Sequence, residues 1–199
     1  MKLAGLDAHH VRPAQPVGPP LLLVHGIGLG RWFWKRDQEL LASLGLESWA
    51  VDLPGHGAAA GKATMDHCYD AVEAAAACLE EPALVGHSAG GLVAQVVASR
   101  TAVRSLVLVA SVPCAPVPFL PTPQGVRCML PQLGRLAAGR NLPLRRIDYV
   151  RTGMHLLSED EVDRAVAQLA PWPNGMVRDM AFRRPRLEGW GGPVLVTHG

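Results

Sequence analysis

The residues of this 199-residue chain best placed to do chemistry lie in Gly86-His87-Ser88-Ala89-Gly90-Gly91. Ala83-Leu84-Val85 before them reads as a short buried strand, and Gly90 to Ala98 after them reads as a helix. Ser88 therefore stands on a strand-to-helix turn. Only small neighbours fit so sharp a bend, and Gly86 and Gly90 remove the side chains that would collide across it. The first amides of the helix have no intrahelical acceptor and aim at the place where negative charge develops during acyl transfer. This is the chemistry of a serine nucleophile attacking a carbonyl carbon. The plainer alternative is a glycine-bounded turn that carries an incidental serine.

A second stretch, His25-Gly26-Ile27-Gly28, follows Leu21-Leu22-Leu23-Val24, a strand expected beside that of Ser88. There its task is to present the Ile27 N–H opposite the Ala89 N–H as a two-donor oxyanion hole; losing one such donor costs about 3 kcal/mol of transition-state stabilisation. Without the serine turn, the same residues would read as a structural bend. His25 is expected to brace the loop through ring hydrogen bonds rather than to act as a base. A serine hydroxyl needs a base within hydrogen-bond reach. His87 adjoins Ser88 but is expected to diverge from it, and His198 is expected to pack at a strand end. His155, with Asp160 or Asp163 nearby in sequence, would have to swing over the site. Trp32, Phe33 and Trp34 either wall an acyl pocket or anchor a helix to the sheet. No dinucleotide-binding glycine motif, phosphate loop, H-E-x-x-H or metal-ligand spacing of His and Cys is present, so neither cofactor nor metal is expected.

The elements that must position these residues follow from the apolar pattern. Short apolar runs at Leu21–Val24, Ser48–Val51, Ala83–Val85 and Val103–Ala110 alternate with helical stretches near 34–43, 64–79 and 90–98. That alternation predicts an α/β fold with a mostly parallel sheet covered on both faces. Thr64 is the expected cap of the second helix, and Leu40 and Leu41 of the first are expected to face the core. Residues 1–20, interrupted by Pro13, Pro16, Pro19 and Pro20, hold one or two short edge strands. From Pro113 to Pro185 prolines multiply, with amphipathic pieces near Val126–Leu136, Ile147–Leu157 and Glu159–Leu169, the last capped by Ser158 with Glu161. About 70 residues so often broken bury little alone, so the segment reads as a helical insertion. Its Trp172, Met154, Leu156 and Leu157 line an apolar channel or merely pack the insertion. The division is thus 1–112 as the first part of the core, 113–185 as a helical insertion, which the resemblance given below makes a lid, and 186–199 as the remaining core with its last strand, Pro193–Thr197. That strand lies at an exposed apolar edge, which invites association, and a homodimer through it is one expectation.

With 49% hydrophobic residues and a formal charge of +2, the chain is not a mainly disordered one and gives no reason to invoke nucleic acid. Arginines gather late, at Arg135, Arg140, Arg145, Arg146 and Arg151 and again at Arg183, Arg184 and Arg186. They form a solvated face, a surface for anionic substrates or partners, or a contact with membrane headgroups. Cys68 and Cys78 lie about 15 Å apart along one helix, too far to bridge. No apolar run follows Met1-Lys2, so no signal peptide or membrane span is expected and the cytoplasm is the expected compartment.

Leu22-Leu23-Val24-His25-Gly26, Val51-Asp52-Leu53-Pro54-Gly55-His56-Gly57 and Val85-Gly86-His87-Ser88-Ala89-Gly90-Gly91 resemble, in order, three signature stretches of the α/β-hydrolase superfamily. The resemblance is to its lid-bearing esterase and lipase-like branch, which also holds enzymes that hydrolyse C–C or C–Cl bonds. It implies Ser88 as nucleophile and Ile27 and Ala89 as oxyanion donors, with His25, Gly26, Gly86, His87 and Gly90 in support. Asp52 to Gly57 would be a structural turn in which Asp52 satisfies backbone groups. The implied reaction is hydrolysis of a small apolar ester or related acyl compound through an acyl-serine intermediate. In the family the triad acid follows the strand corresponding to Pro193–Thr197, and the histidine comes a strand and a helix later. The other acid position used in the family, after Ser105–Ala110, holds Ser111, Val112 and Pro113. Neither triad partner is identified before Gly199, so the expectation is a C-terminally incomplete domain. The alternative, of another class, is a noncatalytic protein of this fold that binds an apolar ligand or a partner.

Overall fold

Strand residues that alternate between two apolar faces build the centre of the computed structural model, which describes residues 1–119, 122–152, 154, 156–187 and 190–197. Among these the strands are β1 (Lys2–Leu3), β2 (Leu6–Val11), β3 (Leu21–Val24), β4 (Ser48–Val51), β5 (Ala83–His87), β6 (Ser105–Val109) and β7 (Val194–Thr197). They form one sheet in the order β1-β2-β4-β3-β5-β6-β7. The β1–β2 and β2–β4 pairs are antiparallel, and all later pairs are parallel. Parallel neighbours need long crossovers; α1 (Lys35–Ser43), α2 (Met65–Ala77) and α3 (Ala89–Ala98) provide three of them.

Because side chains alternate along a strand, Leu22, Val24, Val51, Leu84, Leu106 and Leu108 enter the main core with α2 and α3. Leu23, Ala50 and Val85 point the other way, onto Trp34. Every residue of α3 but Gln95 is buried, as its all-round apolar sequence requires. The Gln95 amide bonds to the Gly91 carbonyl, Ser111 Oγ and the Val112 carbonyl, pinning the end of β6 to the helix. Thr64 caps α2 as expected, with His67 closing the capping box.

The first helix corrects one expectation. Leu40 is 61% exposed, and Gln38 is buried instead, its amide donating to the carbonyls of His9 and Ser48 and to Ser48 Oγ. Trp34, in a 3-10 turn that leads into α1, supplies the large apolar contact.

Between β6 and β7 lie α4 (Pro123–Met129), α5 (Leu133–Ala137), α6 (Arg146–Thr152), α7 (Glu159–Val166) and α8 (Asn174–Phe182). Ser158 and Glu161 form the capping box of α7. Helix α8 has no counterpart in the sequence reading. It ties this segment to the sheet: Met176, Val177 and Met180 enter the main core, and buried Asp179 accepts the Met65 N–H at 3.0 Å. None of the four cysteines is in a disulfide. No helix among the described residues is long and apolar enough to cross a membrane.

Candidate active site

Ser88 has φ 52° and ψ −119°, a region that a residue with a side chain occupies only when its surroundings hold it there. Four backbone hydrogen bonds hold it. The Ser88 N–H donates to the Val109 carbonyl at 3.0 Å, and its carbonyl accepts from Val112 and Gly91 at 3.0 Å and from Leu92 at 3.4 Å. The glycines around it are sterically fixed. A Cβ on Gly86 would stand 2.5 Å from the Gly90 carbonyl oxygen and 2.6 Å from Gly91 Cα, and one on Gly90 would run into the Val24 and His25 carbonyls. The Ser88 side chain is neither buried in the core nor fully exposed.

The loop after β3 packs directly on this bend, since a Cβ on Gly26 would lie 3.0 Å from Ser88 Cβ. Two buried imidazoles fix its peptide groups. His25 Nδ1 lies 2.8 Å from the Gly26 carbonyl oxygen, and Nε2 lies 3.0 Å from the Leu53 amide. A carbonyl only accepts and an amide only donates, so the proton of His25 is on Nδ1. The same logic puts the proton of His56 on Nδ1, toward the Pro54 carbonyl, while Nε2 accepts the Gly28 N–H at 2.9 Å. Burial pushes His25 down to about 3, reinforced by His56 beside it. His56 is lowered as well, chiefly by burial. Both rings are therefore neutral bridges between the two loops.

The consequence for the amides is specific. Gly28 donates to His56 and Leu29 to the Gly26 carbonyl. Neither Ile27 nor Ala89 donates its amide to a described residue. The Gly26 carbonyl is held by His25 and Leu29, and a trans peptide turns the following N–H, that of Ile27, to the opposite side. Sequence reasoning placed His56 only in a structural turn. Its role in fixing Gly28 depends on a partner 28 residues away, which no local motif reveals. Asp52, nearly buried, accepts the Arg31 amide at 2.6 Å and pairs with the Arg31 guanidinium.

His87 Nδ1 would lie 2.9 Å from a Gly26 Cβ, so its ring and Ser88 border the same glycine. The ring stacks on Phe33, with centroids 4.8 Å apart, and forms no hydrogen bond to Ser88 among the described residues. Its buried Nδ1 has no partner among the described residues, and burial lowers its pKa. Of the three aromatics, Trp34 is a core anchor, whereas half-buried Phe33 flanks the site. From the lid, the Ala170 N–H donates to the Gly28 carbonyl at 2.9 Å, and the Trp172 indole and Tyr149 hydroxyl pack against Gly28. Leu156 and Leu157 are 88% and 44% exposed; Met154 is half-buried.

Among the described residues no imidazole or carboxylate hydrogen-bonds to Ser88. His155 and His198 lie outside the described residues, and Asp163 is paired with Arg146. No cluster of three or more His, Cys, Asp or Glu suited to a metal occurs among the described residues.

Residues 21–198 match the Alpha/beta hydrolase family. The fold is similar to that of the extracellular alpha/beta-hydrolase from a Paenibacillus species, with 19% identity, 91% of this chain and 77% of that one covered, and a TM-score of 0.75. It is similar to that of the N-acyl homoserine lactonase AidH, with 18% identity, 98% and 74% covered, and a TM-score of 0.72. A thermophilic esterase from Thermogutta terrifontis gives 22% identity, 98% and 74% covered, and a TM-score of 0.65. No curated protein sequence matches the chain.

Proposed function

Because the chain belongs to the alpha/beta hydrolase family, we propose that it acts on carboxylic esters or related acyl compounds through an acyl-serine intermediate on Ser88. One observation carries the reading: a serine held at a left-handed bend and packed against the Gly26 loop, with the Ile27 and Ala89 amides engaged by no described residue. In the proposed reaction Ser88 Oγ attacks the carbonyl carbon as its proton passes to a base, and the Ile27 and Ala89 amides hold the oxyanion. Collapse of the adduct expels the alcohol, and water then releases the acid. The neutral tautomers of His25 and His56 keep the Ile27–Gly28 segment in place throughout. The structures named above include an esterase and a lactonase, which is consistent with acyl chemistry on this fold without naming a substrate.

A second reading, noncatalytic binding of an apolar ligand, is favoured by the lack of a described base or acid hydrogen-bonded to Ser88. One experiment separates the two. The chain is mixed with p-nitrophenyl butyrate, with a Ser88→Ala variant as control. The hydrolase reading expects nitrophenolate release of at least one equivalent and a butyryl mass increment on the peptide that contains Ser88. Release no greater than that of the variant, with no increment, would sink it for this chain.

We further propose that β7, the outer strand of the sheet with Val194, Leu195 and Val196 half-exposed, pairs edge to edge with a second copy.

A further inference from the structure

The lid run from Pro123 to Ala137 is helical throughout, α4 and α5 being joined by a 3-10 turn at Leu130–Gln132. Its inner side is already occupied. Cys128 and Gln132 are buried, Met129 and Leu136 pack on the main core, and the Gln132 amide donates to the Pro143 carbonyl at 3.1 Å. A helix with one face so engaged ordinarily turns polar residues outward. This one does not. Val126, Leu130 and Leu133, spaced by four and then three, are 41%, 57% and 53% exposed, and exposed Ala137 extends the row.

The exposed charge beside that row that forms no ion pair among the described residues has one sign. Arg127, Arg135 and Arg140 are exposed and form no ion pair among the described residues, whereas Arg145 and Arg146 are paired with carboxylates. Arg135 lends a single N–H to the Asn141 carbonyl. Between Glu81 and Asp148 the sequence contains neither Asp nor Glu.

We infer that this outer face of the lid docks on an anionic phospholipid surface. The apolar row enters the boundary between headgroups and acyl chains, and the three guanidiniums meet headgroup phosphates. Charge complementarity selects this occupant. A second copy presenting the same patch would set arginines against arginines, which like-charge repulsion disfavours. A lipid surface supplies a negative plane above an apolar layer, the arrangement that the row and its flanking charges match.

Co-sedimentation with vesicles tests this, using phosphatidylglycerol and phosphatidylcholine in equal parts against phosphatidylcholine alone. The whole chain is expected to partition onto the anionic vesicles at least about tenfold more strongly. The double variant Leu130→Glu/Leu133→Glu should lose at least that factor, and Arg127→Gln or Arg140→Gln about fivefold each. Leu44→Glu, exposed at the far end of α1, should change nothing. Circular dichroism checks each variant; if the double variant is unfolded, the two exposed arginine variants decide. Equal binding to both vesicle types, or retention of binding by the folded variants, overturns the inference. So does a dimer in sedimentation velocity that the double variant disperses, since the face would then belong to a second copy.

Discussion

At the backbone of Ser88 the fold holds about 1–3 kcal/mol of conformational strain, because φ is 52° where a side chain is present. Glycine tolerates that geometry but makes the unfolded chain more flexible. Ser88→Gly is therefore expected to be about 1 kcal/mol more stable in urea melts than Ser88→Ala, with both unable to acylate; equal stabilities would mean the bend is unstrained. His25 acts one step away, as a positioning residue. Replacing it with Leu leaves the Gly26 carbonyl and the Leu53 amide without their ring partners, so that the Leu29 N–H alone restrains the Gly26–Ile27 peptide. An acylation rate about 100-fold lower is expected, the loss associated with one oxyanion donor, with kcat falling more than KM rises. An unchanged rate would remove His25 from the mechanism. Ser88 and its glycines were legible in the sequence because a local bend needs local residues. The nitrogen assignments of His25 and His56 were not, since one of each ring's two partners lies on the other loop.

At the scale of elements, the close contact of α3 with β3 is what seats Ser88. A Cβ on Gly90 collides with backbone carbonyls that cannot rotate aside, so Gly90→Ala is expected to cost about 1–3 kcal/mol and to slow acylation as well. A variant of wild-type stability and rate would show that the helix can shift freely. The strands and α1–α3 could be read from sequence because apolar runs and helical periodicity agree there. Leu40 misled, since on this short helix Leu41 and the preceding Trp34 supply the apolar contacts and Gln38 takes the buried polar position. Helix α8 was hidden by Pro171 and Pro173, which signalled interruption, although Met176, Val177 and Met180 carry the spacing of a buried helical face. Pro173 in fact precedes the helix as its N-cap.

Across the whole molecule, buried neutral histidines couple stability to pH. His25, His56 and His87 all titrate below the ordinary 6.5 in the folded chain, His25 near 3. Their contribution is complete above about pH 6.5. As pH falls further, the unfolded chain binds protons that the folded chain refuses, and stability declines by up to about 1.4 kcal/mol per pH unit for each ring. Urea melts from pH 7.5 to 4.5 should show this fall, whereas a flat profile would mean that these rings ionise freely in the fold. If β7 pairs with a second copy, Leu195→Lys should disperse the dimer in sedimentation velocity; a monomeric wild type contradicts that pairing. The sheet order emerges only when every strand is in place, because crossovers and register are collective. No base or acid partner for Ser88 was legible in the sequence, and among the described residues no imidazole or carboxylate hydrogen-bonds to it.

The most direct measurement is peptide mapping after exposure to a fluorophosphonate, which phosphonylates an activated serine. A single adduct on Ser88, absent from Ser88→Ala and formed about 100-fold more slowly by His25→Leu, is the expected result. Labelling elsewhere with Ser88 unmodified would contradict the account.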